Sequence, residues 1–463
     1  MISRADLVER VREWGLAEQI VEKDYVLGWV LWGIGTDPVL GNQWVFKGGT
    51  CLKKCYIETY RFSEDLDFTV LPDGAVLPDD VLPHIGRVLA RVADESGIDF
   101  AGMEPRFRLR PSGVAAEGRV YYKGPRQAPQ QASIKLDLAA DEQVVRPPVL
   151  RPIAHPYPDG LPGSGTVRCY SFEEVFAEKL RAMGQRGRPR DLYDIVNLFR
   201  RNDLRLHAEL VRGVLVEKCR IRSVEVPTFA SVAAAPHRAE LESEWANMLG
   251  HQLPALPPLD QFLTELPDLF AWLHGEVQFP ALVRIATEAG EDLSWTPPAT
   301  AWNWRQGVPL EPVRFAATNH LCVSLTYNGS VRVLEPYSLR RTQDGALVLH
   351  ALRVDNREHR SYRVDRMQRI EVTTRPFRPV YAVEFSSAGP MAAQPVRRTA
   401  GSAGTRRMAP RRGTGPIYVV QCPNCLKQFR RRKRDLTLRP HKTPQGYDCR
   451  GRRGQLLRTE RGG

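Results

Sequence analysis

At 463 residues the chain is too long for one ordinary hydrophobic core, so two or three domains are expected. Its 42% hydrophobic and 26% charged residues are globular proportions, and the apolar run Tyr25 to Gly35 is too short to span a bilayer. The net charge of +13 is confined to the tail: from Gly401 onward 17 Lys/Arg stand against 3 acids, a net of +14, leaving about −1 for the first 400 residues.

In chain order, residues 4 to 34 carry Leu7, Val11, Trp14, Ile20, Val21, Tyr25 and Val26 at helical spacing. WVFKGG reads as a short buried strand ending in a glycine turn, followed by a helix through Leu52 to Ile57 with Lys53 and Lys54 on its surface. EDLDFTV alternates as a strand, Asp80 to Glu95 is helical, and RFRLRP, GRVYYKG and ASIKLDLA are further strands. Ser171, with Glu174 three residues on, reads as a capping box opening a helical half: Phe172 to Gly184, Pro189 to Arg200 and Leu204 to Lys218. Prolines crowd between His251 and Phe262, and a last helix runs from Leu263 to His274. Composition changes near Trp295, and β-like runs then dominate from Arg314 to Phe385: HLCVSLTY, SVRVLEPYSL, ALVLHALRV, RSYRVDRMQRIEVT and VYAVEF. Ser386 to Pro416, rich in Ala, Gly, Pro, Ser and Arg, reads as a disordered linker. The expected plan is α+β, with boundaries at 1–285, 310–386, 387–415 and 416–463. Charged residues directly after Met1 argue against a signal peptide, so a cytoplasmic protein without membrane association is expected.

Gly48-Gly49 and Asp65-x-Asp67 are the pair of features with chemical content. Phosphate oxygens call for close backbone approach at a turn opening a helix, which glycine permits. Two aspartates at i and i+2 on a strand share a face and can hold Mg²⁺ against a triphosphate. Asp137, on a later alternating strand, is the candidate third carboxylate. Each feature alone is common on exposed strand ends and turns; their order along the chain is the one a nucleotidyltransferase core needs.

FKGGTCLKK…RFSEDLDF resembles the signature of the AbiEii/AbiGii toxin family of nucleotidyltransferases, found in abortive-infection and type IV toxin–antitoxin systems. Glu178-Lys179-Leu180 and Arg190-Asp191-Leu192-Tyr193-Asp194 match the family's two helical motifs, and Val21 to Leu27 its opening helix, so that the resemblance covers roughly residues 1 to 280. It implies a nucleotidyltransferase fold, an NTP substrate and Mg²⁺ bound by Asp65, Asp67 and Asp137. It also implies that Lys179 and Asp191 are catalytic and that Gly48, Gly49, Thr50, Arg61 and Ser63 contact the nucleotide. Transfer to an RNA acceptor, tRNA 3′ ends among them, a role in phage defence and a cognate antitoxin as partner follow from the same resemblance.

Residues 330 to 373 resemble a WYL domain, a small SH3-like β fold, through Glu335-Pro336-Tyr337, Leu347 to Ala351, Arg360 to Arg363 and Asp365-Arg366. The naming Trp-Tyr-Leu triplet is replaced by Tyr337-Ser338-Leu339. Such domains sense ligands or nucleic acid, which makes Arg332, Arg340, Arg341, Arg360, Arg363 and Arg366 candidates for one phosphate-accepting groove; the plainer reading is that they are solvated and paired with Glu335, Asp344 and Asp365. Near the end, Cys422 and Cys425 form a C-x-x-C knuckle, with His441 and Cys449 completing a four-ligand zinc-ribbon-like site for structural Zn²⁺. Between the ligands, Arg430, Arg431, Arg432, Lys433 and Arg434 form a basic ribbon suited to nucleic acid, with Phe429 as a stacking aromatic. The competing reading of the whole chain is a non-catalytic WYL/zinc regulator whose transferase core is a degenerate scaffold.

Overall fold

The computed structural model describes residues 1–57, 61–201, 208–234, 237–279, 282–292, 294–295, 310–385, 417–431, 435–443 and 448–460. The expected linker, 387–415, lies outside the described residues, as do Arg432, Lys433 and Arg434. The chain forms two compact units, Met1–Ala392 and Ala393–Gly463.

In the first unit α1 (Arg4–Trp14) opens on a true capping box between Ser3 and Asp6 and stops at Gly15, whose φ of 65° suits glycine. The apolar run Tyr25 to Gly35 lies inside α2 (Glu18–Thr36) and is almost wholly buried. Its hydrophobicity belongs to the core, and no helix among the described residues is long and apolar enough to cross a membrane. Then follow α3 (Leu40–Gln43), β1 (Trp44–Lys47), α4 (Gly48–Cys51), β2 (Asp65–Val70) and α5 (Pro78–Ser96). The strands β3 (Arg106–Leu109), β4 (Ala115–Tyr122), β5 (Ala132–Ala139), β6 (Val149–Pro152) and β7 (Thr166–Cys169) complete a seven-stranded sheet in the order β3-β4-β5-β2-β1-β7-β6. β2 pairs parallel with β5 and antiparallel with β1, so the sheet is mixed.

Because side chains alternate along a strand, register sorts the faces. Phe46 faces Phe68, and Phe68 faces Leu138; this side is the core. On the other side Lys47 faces Asp67, Asp67 faces Asp137, and Asp137 faces Glu117, while Asp65 faces Lys135. One face therefore buries aromatic and aliphatic groups, at about 1.5–3 kcal/mol each, and the opposite face gathers charge.

The helix after the glycine turn starts at Gly48 itself and continues as a π-helical turn over Leu52–Tyr56. Lys53 and Lys54 are not on its surface, contrary to expectation: both are buried. Lys54 donates to Asp24 of α2 at 2.8 Å, while Lys53 lies 3.7 Å from the Phe62 ring centroid, and burial lowers its pKa to about 8. Pairing and ring contact are what make burial of two ammonium groups tolerable.

The helical half comprises α6 (Phe172–Arg186), α7 (Pro189–Arg200), α8 (Ala208–Ile221), α9 (Phe229–Ala233), α10 (His237–Leu249) and α11 (Leu259–His274). Ser171 does cap α6 through the Glu174 N–H, but the reciprocal half of the box is missing. Glu174 is fully buried, accepts instead from the N–H groups of Val145 and Arg146, and forms an ion pair with Lys218. Gly187, at φ 54°, ends α6, and Pro189 opens α7 two residues later. This tight turn sets the end of α6 against the start of α7.

A helix α12 (Glu311–Thr318), not foreseen from the sequence, precedes β8 (Leu321–Tyr327), β9 (Ser330–Arg341), β10 (Leu347–Arg353), β11 (His359–Arg363) and β12 (Met367–Pro376). These five strands form an antiparallel sheet, β11-β10-β9-β8-β12. The VYAVEF run makes no ladder; it bends at Val380 and Tyr381, and Glu384 N–H donates to the Tyr337 carbonyl. One hydrophobic cluster continues from Phe46 and Leu198 through Val313 to Leu325 and Leu349, and Tyr193 donates to Asn319 at 2.7 Å. The two sheets of the first unit thus share a core.

The second unit contains β13 (Ile417–Gln421), β14 (Gln428–Arg431), β15 (His441–Lys442), β16 (Asp448–Cys449) and β17 (Gln455–Glu460). Among the described residues it has a three-stranded sheet, β14-β13-β17, and a two-stranded β15-β16 pair, with Val420, Cys422, Leu438 and Cys449 as a small buried cluster.

Candidate active site

Gly48 has φ 79°, and a Cβ there would stand 2.2 Å from Asp67 Oδ2. A Cβ on Gly49 would stand 2.7 Å from the Arg61 guanidinium and 3.2 Å from Ser63 Oγ. The glycine pair is therefore demanded by its own neighbours: the chain must pass directly over Asp67, and only glycine leaves the room. Thr50 is buried and donates its hydroxyl to the Asp65 carbonyl at 2.5 Å, tying the turn to β2.

Asp65, Asp67 and Asp137 share the charged face, with Asp67 and Asp137 directly opposite each other on neighbouring strands. Burial, reinforced by Asp137 and Asp65 and only partly offset by Lys47 and Lys179, pushes the Asp67 carboxyl up to about 6. Asp65 is raised as well, by burial and Asp137 against the pull of Lys135. Asp137 accepts from Arg110 and from Lys135, both at 2.7 Å. Carboxylate oxygens are the hard donors a divalent cation such as Mg²⁺ takes, and on this face the Asp137 carboxylate is already engaged by Arg110 and Lys135.

Lys179, on α6, is 2.7 Å from Asp194 and 3.7 Å from Asp191, both on α7 and both fully buried. Asp191 accepts both arms of Arg186, at 2.7 and 2.9 Å. Asp194 accepts both arms of Arg61, at 2.8 and 3.0 Å, and Arg61 also donates to Gln252 at 3.0 Å. Burial would raise Asp194, but Arg61 and then Lys179 overcome it and bring it down to about 2. Arg61 is thus committed to the protein rather than presented to a ligand. Sequence reasoning gave Asp194 no role, although the i, i+3 spacing from Asp191 places both on one helical face and was the available signal. Lys47 was missed too; it stands opposite Asp67 and pairs with Glu142.

In the second sheet the arginines do not converge as expected. Arg360 and Arg363 are three apart on β11 and so point to opposite faces. Arg332 donates to the Tyr327 and Ser330 carbonyls, Arg360 pairs with Glu358, and Arg363 with Asp365 and Asp344; Arg366 is exposed. In the second unit the ligand atoms of Cys422, Cys425, His441 and Cys449 all lie within 4.8 Å of one another. Cys422 and Cys449 Sγ are 3.7 Å apart, and Cys425 Sγ is 3.4 Å from His441 Nε2. Sulfurs about 2.3 Å from a tetrahedral zinc would be about 3.8 Å apart, so the residues fit that ion. Arg431 donates to the Asp435 and Thr437 carbonyls; Arg430 lies in β14.

A glycine turn pressed onto a carboxylate-bearing mixed sheet, with a buried Lys/Asp cluster supplied by two helices, defines the chain as a nucleotidyltransferase-fold protein. Residues 29–272 match the sequence model of the AbiEii nucleotidyl transferase toxin of type IV toxin–antitoxin systems, more than half of the chain, and the chain belongs to that family. Residues 309–372 match the WYL domain. Among solved structures, MenT4, a nucleotidyltransferase toxin from Mycobacterium tuberculosis H37Rv, is similar at 24% identity, covering 59% of this chain and 90% of that chain with a TM-score of 0.43. No curated protein is found to match.

Proposed function

We propose that this nucleotidyltransferase toxin transfers a nucleotide from an NTP to an RNA acceptor, tRNA 3′ ends being the first to test, and that it acts in phage defence under the control of a cognate antitoxin. The observation that carries the reading is the face shared by Asp65, Asp67 and Asp137 beneath Gly48-Gly49. Nucleotidyl transfer forms a bond between an acceptor hydroxyl and the α-phosphorus and breaks the bond to pyrophosphate. Asp65 and Asp67, with Asp137 opposite, would hold Mg²⁺, which neutralises charge on the triphosphate and leaving group. Backbone N–H groups at Gly48 and Gly49, with Ser63 beside them, would meet phosphate oxygens. Lys179 offers a point charge that Asp194 and Asp191 hold in place, while Arg61 and Thr50 position their partners. The WYL domain and the basic zinc-binding unit would retain the nucleic acid. The non-catalytic alternative gains nothing here, since the glycines, carboxylates and Lys179 are all present together.

The test is incubation with each labelled NTP, Mg²⁺ and total RNA. Wild-type protein should label RNA, and Asp67→Ala should lower the rate by at least about a thousandfold, the scale of losing a principal electrostatic group. Equal labelling by Asp67→Ala would overturn the mechanism.

A further inference from the structure

His350, on β10, faces Ser361 across the β10–β11 ladder, and Leu352 faces His359, so the two histidines stand on one face of the sheet, two positions apart. Their rings are stacked, 5.2 Å between centroids and 10° from parallel, with His350 Nδ1 3.1 Å from His359 Nε2. The chain segment 285–292 crosses this face. Arg340 fixes it by donating to the Ile285 carbonyl at 2.7 Å and to Glu291 Oε2 at 2.9 Å, and Gln343 N–H donates to the Gly290 carbonyl. The segment brings Glu288, whose carboxylate accepts from Ser361 at 2.9 Å and has an oxygen within 4.8 Å of both imidazoles' ligand nitrogens. Glu291 Oε1 lies 2.7 Å from His350 Nε2, although the two are not aligned for a hydrogen bond, and both atoms are buried without one.

We propose that His350, His359 and Glu288 form a binding site for a divalent transition metal, Zn²⁺ or a close substitute such as Co²⁺, separate from the aspartate and cysteine clusters. Nitrogens about 2.05 Å from a tetrahedral zinc lie about 3.3 Å apart, close to the spacing between the two histidines. An imidazole that ligates a metal through one nitrogen usually turns the other toward a carboxylate, and Glu291, anchored by Arg340, stands in that place behind His350. Two imidazoles and one carboxylate select borderline ions over Mg²⁺ or Ca²⁺, and three protein ligands leave a position for water. Two of the ligands come from the β10–β11 ladder and the third from segment 285–292, so an ion here would clasp that segment to the sheet.

The competing explanation is a plain hydrogen bond between two neutral imidazoles, which needs no metal. Cobalt titration of the full chain in saturating Mg²⁺ separates them. Cobalt at the cysteine cluster gives an intense thiolate charge-transfer band, whereas cobalt held by His350, His359 and Glu288 gives only weak ligand-field bands. The expected result is one population of each kind. His359→Gln and Glu288→Gln, which alter less buried positions than His350, should each take up about one equivalent less while keeping the thiolate band. A wild-type chain that binds cobalt only with thiolate absorption, or variants that bind as much thiolate-free cobalt as wild type, would overturn the site.

Discussion

Asp67 lies where burial and two neighbouring aspartates all hold its proton on, and this has a consequence for stability. Its folded pKa of about 6 stands above the usual value of about 3.9. Between those two values the native state binds more protons than the unfolded chain, so metal-free stability falls as pH rises and levels off above about 6. The full penalty is on the order of 2–3 kcal/mol. Asp67→Asn should therefore remove transfer activity yet raise the melting temperature of the metal-free protein at pH 7, with little effect at pH 4.5. Melting curves in EDTA at the two pH values check this; a variant less stable than wild type at pH 7 would count against the assigned cluster. Mg²⁺ affinity should rise through the same window, because the ion and the proton compete for one carboxylate.

Among the elements, the α6–α7 hairpin carries the most specific arrangement. Gly187 and Pro189 make the turn, and the turn brings Lys179 and Arg186 of α6 to Asp191 and Asp194 of α7. Arg61, from the chain before β2, crosses to the same Asp194 and locks the hairpin to the glycine turn, because the Arg61 guanidinium also underlies Gly49. Asp194→Asn leaves the buried Arg61 with a neutral partner and Lys179 with only the more distant Asp191. It should cost about 3–5 kcal/mol, readable as a lower denaturant midpoint, and should depress activity more than Ser63→Ala. The helical spacing made α6 and α7 legible in advance, whereas Lys179 and Asp191 were singled out by the family resemblance. That Asp194, rather than Asp191, is the carboxylate nearer Lys179 depends on how two helices pack, which no local pattern encodes.

On the scale of the whole molecule, the chain forms two units of different physical kinds. The first holds a continuous core that spans both sheets. The buried cluster described in the second is four side chains, two of them cysteines of the candidate zinc site, so folding there is expected to depend on an ion. Chelation should collapse amide protection over 417–460 while leaving the first unit's melting transition in place; hydrogen exchange with and without a strong chelator reads both. Binding of RNA should rest largely on the tail's net charge of +14. It should weaken by roughly two to three orders of magnitude between 50 and 200 mM salt, and truncation after residue 392 should remove most of that dependence.

Some of this was settled by residue order alone. Alternation and glycine placement sufficed for the α+β plan, the two aspartates of β2, the paired helices, the tail's charge and the cysteine cluster, because each is a local pattern with a fixed geometric meaning. Only the tertiary structure placed Asp137 against Asp67, since strand order in a mixed sheet depends on crossovers. It also buried Lys53 and Lys54 and turned Glu174 away from its cap. Those outcomes are set by what another element places alongside, and a charge's partner, unlike its spacing, can come from anywhere in the chain.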